Sequence, residues 1–183
     1  YFVSTYGDYS AGGYGAAIRF EQLFLLPVLG LNASTLALVG QNFGAENFSR
    51  IFDTYKKSIL YGTVFMATCG VFVFLSSDYI MIFFSDNSEI IYYGSTYLKI
   101  AAFAGPCYPI FFISSALLQG LKKPIYQMLI NLLRMVILPI CALSVAVTYF
   151  KVEFTTMLLV ILTINYVFAA MVYNCLLYTS DAA

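Results

Sequence analysis

The sequence predicts an all-α membrane protein, a polytopic helical bundle of about five transmembrane helices. Three observations predict it. Of 183 residues, 61% are hydrophobic and 10% charged, where a soluble domain carries about 25% charged residues. Mean hydropathy is +0.84. The apolar residues also gather in charge-free runs of 20 residues at Ser58–Ser77, 22 at Ile100–Leu121 and 27 at Phe154–Ser180. About 20 residues at ~1.5 Å rise cross a hydrocarbon core of roughly 30 Å.

The first expected span, residues 11–39, is the most polar, with Arg19, Glu21, Gln22 and Asn32 inside it. Two central charges oppose insertion by roughly 5–7 kcal/mol, while its twelve Leu, Ile, Val and Phe residues favour it by roughly 4–7 kcal/mol. Such a helix spans only among neighbours. Phe48, Ile51, Phe52 and Tyr55 then follow i, i+3, i+4, i+7 spacing and read as a short helix on the cytoplasmic surface. The second span is 58–80. Asp86, with Glu89 three residues on, resembles a capping box opening the third helix, whose span is 98–121. The fourth, 124–150, is interrupted by Arg134, and the fifth is 154–174. Pro27, Pro106, Pro109 and Pro139 fall inside spans and mark kinks. With no Trp in the chain, Tyr55, Tyr79, Tyr92, Tyr93 and Tyr149 are expected to form the interfacial belt.

Charge distribution sets an orientation. Arg50, Lys56, Lys57, Lys122 and Lys123 lie in one set of connectors, Lys99 and Lys151 in the alternate set. The positive-inside rule places the first set in the cytoplasm. The expected compartment is the plasma (inner) membrane.

Composition also excludes. Nine Lys+Arg against nine Asp+Glu leaves no basic face for nucleic acid. The absence of His removes His-based triads and nearly all zinc sites. No GxSxG, no GxxxxGK[ST] and no aspartate pair within spans is present, so neither an enzyme nor a cofactor or metal site is expected. Cys69, Cys107, Cys141 and Cys175 form no CxxC pair and read as buried small apolar residues.

The informative residues are therefore Arg19, Glu21 and Arg134, because ionisable groups at membrane depth face a bundle interior or a wet cavity. Arg19 and Glu21 are about 200° apart on a helix and cannot pair with each other. Gln22 and Asn131 could share a polar interior with them. An inter-helix salt bridge, Glu21 with Arg134, is the structural alternative to a role in a substrate or ion pathway.

These residues carry a resemblance. Gly15-Ala-Ala-Ile-Arg-Phe-Glu-Gln-Leu23, Leu26-Pro-Val-Leu-Gly30 and Val39-Gly-Gln-Asn-Phe-Gly-Ala45 resemble the second helix of the C-terminal lobe of multidrug and toxic compound extrusion (MATE) transporters. Phe84-Ser-Asp-Asn-Ser-Glu-Ile90, Tyr97-Leu-Lys-Ile100, Leu118-Gln-Gly120 and Leu133-Arg134 with Pro139 follow in that family's order. The likeness covers roughly residues 3–174, while the last span lacks the Gly and Trp often seen at its start. It implies a twelve-helix antiporter of two six-helix lobes that exports cationic or amphipathic compounds against inward sodium or protons. This chain, which begins without Met, would supply five helices of the second lobe, with an N-terminal lobe of the same protein, a small-molecule substrate and the lipid bilayer as partners. The final Cys175-Leu-Leu-Tyr-Thr-Ser-Asp-Ala-Ala183 resembles a translated sequencing adapter, so residues 175–183 are expected to be a non-native tail. A lipid-linked-sugar flippase of the wider superfamily and a non-transporting membrane bundle stay open as alternatives.

Overall fold

The computed structural model describes residues 2–181, and among these it contains helices and turns but no strand. A 3₁₀ turn (Val3–Tyr6) leads into α1 (Asp8–Gly44), followed by α2 (Phe48–Phe84), α3 (Ser88–Ala104) and α4 (Cys107–Gly120). Next come α5 (Pro124–Leu132) and α6 (Leu138–Leu143), each continued by a π-helical segment, Leu133–Ile137 and Ser144–Tyr149; α7 (Phe154–Asp181) closes the chain. Four helical stretches are long and apolar enough to cross a membrane, and α3 with α4 makes a fifth. Helices α1 to α4 pack on one another, and α7 lies against α3 and α4. The α5–α6 span sits at the edge with most of its side chains outward, Leu132, Leu133, Met135, Val136 and Ile137 among them. The all-α polytopic bundle expected from the sequence is the observed architecture.

Three boundaries differ from expectation, each for a local reason. The amphipathic stretch from Phe48 is not a separate surface helix but the first turns of α2, because Asn47 caps the helix at Arg50 N and no Gly or Pro interrupts it before Gly62. Its inward residues, Ile51 and Tyr55, are fully buried. The third helix begins at Ser88, close to the expected start, but its cap is Asn87, whose Oδ1 accepts from Glu89 N and Ile90 N, rather than Asp86. The chain then breaks at Gly105–Pro106, where α3 and α4 meet at a 53° bend. Pro106 lacks the N–H that would continue α3, and it starts α4 instead. Pro27, by contrast, lies within an unbroken α1.

Inter-helix polar contacts supplement close packing, as expected where lipid offers no hydrophobic driving force between helices. Thr35 Oγ1 donates to Ser58 Oγ at 2.9 Å between α1 and α2, and the Tyr55 hydroxyl meets Ser114 Oγ at 3.0 Å between α2 and α4. Tyr55 is therefore a core residue and no part of a belt, whereas Tyr79 and Tyr149 are about 80% exposed. Of the four cysteines Cys107 alone is buried; Cys141 and Cys175 face outward.

The two ends of the bundle are distinct. At one, the Lys122 ammonium lies 5.8 Å from the Phe43 ring, beside the α1–α2 turn. At the other, the Tyr6 hydroxyl donates to Val152 O at 2.6 Å and ties the N-terminal turn to the α7 approach. Lys99 is not a loop residue; it lies within α3 and pairs with Asp78 of α2 at 2.9 Å. Arg50, Lys56 and Lys57 likewise lie within α2, so among the described residues the basic loop residues are Lys122 and Lys123 at one end and Lys151 at the other. In a background stripped of its native cysteines, a cysteine at position 151 is expected to react with an impermeant thiol reagent in intact cells, and one at 56 to stay unlabelled. The opposite pattern reverses the orientation.

Candidate functional site

The bundle holds a half-buried carboxylate and a buried guanidinium, kept apart. Glu21 sits on α1 about three and a half turns from its start. Its carboxylate accepts from the Tyr97 hydroxyl of α3 at 2.5 Å and from the Tyr108 hydroxyl of α4 at 2.8 Å. The break at Gly105–Pro106 lies between the two tyrosines and lets both reach one acid. Tyr14, seven residues before Glu21 on the same face of α1, meets Tyr97 edge to face at 4.8 Å.

Beyond these rings lies a cavity of about 290 Å³ between α3, α4, the α5–α6 span and α7. Its lining includes Tyr14, Tyr97 and Tyr108, Arg134 and Asn165, and Leu158 and Pro139. Arg134 is 9% exposed. Its Nη1 donates to Asn165 Oδ1 at 3.0 Å, and its guanidinium carbon lies 3.9 Å from the Phe111 ring centre. It stands in the π-helical segment Leu133–Ile137 and is turned inward, while its neighbours Leu133, Met135 and Val136 face outward.

The Glu21–Arg134 salt bridge weighed from the sequence is not formed: the carboxylate is taken by tyrosines and the guanidinium by Asn165 and Phe111. Nor do the expected pathway residues form one polar interior. Gln22 is exposed, because the 100° step along α1 that turns Glu21 inward turns its neighbour outward. Arg19 is exposed on the opposite face for the same reason. Asn131 is half-buried one turn before Arg134 and does not border the cavity. Sequence reasoning missed Tyr97, Tyr108 and Asn165. The first two stand in or near segments singled out for other reasons, the Tyr97–Ile100 landmark and the Pro106–Pro109 pair; Asn165 had no signal beyond being a polar residue in an apolar run.

Comparison with known proteins bears on the family and the fold. The family model MatE matches residues 1–143. The chain is 24% identical over 131 residues to the probable multidrug resistance protein YpnP of Bacillus subtilis, covering 72% of this chain and 29% of that protein. It is 31% identical over 99 residues to the multidrug export protein MepA of Staphylococcus haemolyticus, covering 54% of this chain and 22% of the relative. The chain thus spans less than a third of either relative. Among solved structures, the MATE transporter ClbM in complex with Rb+ superposes with a TM-score of 0.89 at 19% identity, over 94% of this chain and 40% of that one. These relatives are membrane transporters rather than enzymes. With a family model matched across most of its length and a bundle of the corresponding fold, the chain belongs to the multidrug and toxic compound extrusion family.

Proposed function

We propose that this chain is part of the C-terminal lobe of a multidrug exporter in the plasma membrane, driven by sodium or proton antiport. The observation that carries the reading is the Glu21 carboxylate held by Tyr97 and Tyr108 beside an internal cavity. A carboxylate at membrane depth is costly unless a proton or cation neutralises it, so its occupancy can be linked to movement of the surrounding helices. The two hydroxyl donors carry no charge of their own, so among the described residues the carboxylate has no cationic partner and can take one from an incoming ion. The tyrosine rings offer cation–π faces to an organic cation in the same cavity.

Alternating access needs two bundles rocking around a central site. Arg19 and Gln22 on the outer face of α1 support a second lobe there, since a guanidinium and an amide facing lipid would be expensive. Expressed alone in an efflux-deficient strain, these 183 residues are expected to leave drug accumulation unchanged; a clear fall would mean that copies of the chain assemble into a working unit. A pyrophosphate-carrying flippase is less well supported, because the cavity offers a single guanidinium.

The reading is tested with the full-length protein in proteoliposomes. Counter-transport of a cationic dye against an imposed sodium or proton gradient is expected, and transport indifferent to both gradients would overturn the antiport.

A further inference from the structure

The buried Arg134 guanidinium is short of acceptors. Among the described residues no carboxylate pairs with it, and its Nε donates to nothing. The Asn165 contact is a fixed prop rather than a counter-charge: Asn165 Nδ2 donates to Ile161 O at 3.0 Å, which turns its Oδ1 toward Arg134. Phe111 covers one face of the guanidinium plane and leaves the in-plane donors, where an anion binds in bidentate fashion. Tyr108 donates to Glu21 and lines the same cavity, so the tyrosine stands between the two opposite charges.

We infer that Arg134 and Asn165 form a receiving site for one anionic group, a carboxylate or a phosphate, carried by the transported molecule. The substrate class is then aromatic compounds that bear such a group in addition to a cationic or neutral body. The inference rests on the efflux reading above. An unpaired guanidinium at this depth is paid for in stability unless something neutralises it, and the cavity it borders is where a substrate anion would do so. Asn165 fixes the orientation of the charge.

The test uses the full-length transporter in proteoliposomes and two dyes that differ in one group: a rhodamine with a free carboxylate and its methyl ester. The wild type is expected to export both. Arg134→Gln is expected to lower the acid-to-ester transport ratio tenfold or more. Arg134→Lys, which keeps the charge but not the fork, and Asn165→Ala, which removes the prop, are expected to show smaller losses of the same ratio. Melting temperature and elution on size exclusion report in each variant that the protein is folded. Equal effects on both dyes in every variant, including none, overturn the anion site while efflux stands. Wild-type export of the ester alone does the same. If the wild type exports neither dye, the efflux reading fails and the site fails with it.

Discussion

Glu21→Gln is expected to lower efflux by tenfold or more in the full-length protein while the folded transporter still reaches the membrane. The substitution keeps the shape of the side chain, and the amide oxygen can still accept from Tyr97 or Tyr108. The other hydroxyl must rotate to accept from the new N–H, which it can do. Hydrogen bonds to a charged group contribute roughly 1.5–3 kcal/mol and neutral ones roughly 0.5–1.5 kcal/mol, a difference of about 1–1.5 kcal/mol at each of the two bonds, offset in part because a charge is no longer buried. Loss of the charge itself removes the site at which a proton or cation would be exchanged. Transport rate and melting temperature therefore separate: the first collapses and the second moves by a few degrees. Normal efflux from a stable Glu21→Gln variant would remove this residue from the mechanism.

The double variant Glu21→Gln/Arg134→Gln adds a check. Had the two residues formed a bridge, removing both would restore stability lost on removing one. Their partners are separate here, so the two single-variant effects are expected to add, each with its own sign, with no coupling beyond about 0.5 kcal/mol.

What the sequence disclosed and what it concealed divide along physical lines. The five spans were legible because a bilayer demands length and apolarity, and those are one-dimensional properties. The pairing of Glu21 was not. Its partners lie 76 and 87 positions away, and tyrosine in a membrane protein reads as an interfacial residue before it reads as a donor. Arg134 was conspicuous as a charge, but nothing in the sequence named Asn165 and Phe111 as its partners. The α3–α4 break was hidden inside a charge-free run, where Gly105–Pro106 could mark a kink as well as an end. Close helix contacts had no pattern to announce them. Gly40 and Gly44 make a GxxxG pattern, yet a Cβ at either would meet nothing within 4 Å. Close approaches are made at other glycines, Gly70 and Gly120 among them, and between α1 and α3 by Gly13 and Gly94.

That approach gives the second large effect. Gly13→Ala is expected to destabilise the bundle and to disable the site with it. A Cβ at Gly13 would lie 2.6 Å from Ile90 O and 2.8 Å from Gly94 N. Both are backbone atoms of α3, so no rotamer change relieves the clash and the helices must part. Alanine is favoured over glycine in a helix by about 0.8–1.0 kcal/mol, which offsets part of an overpacking cost of roughly 1–3 kcal/mol. The balance is a net loss of up to about 2 kcal/mol. Gly15→Ala supplies the control, since a Cβ there meets nothing within 4 Å and the helix preference acts alone. The two variants differ by one methyl group two residues apart on α1, and their melting temperatures should move in opposite directions. Distance from the site does not protect it. Tyr97 lies one turn beyond Gly94 on α3, and Glu21 lies two turns beyond Gly13 on α1. Wedging the helices apart between Gly13 and Gly94 therefore strains the Tyr97–Glu21 hydrogen bond. Transport by Gly13→Ala should fall further than its stability alone explains, while Tyr97→Phe in the Gly13→Ala background should cost less than Tyr97→Phe alone. An unchanged melting temperature for Gly13→Ala would show that α1 and α3 are not in contact at this point.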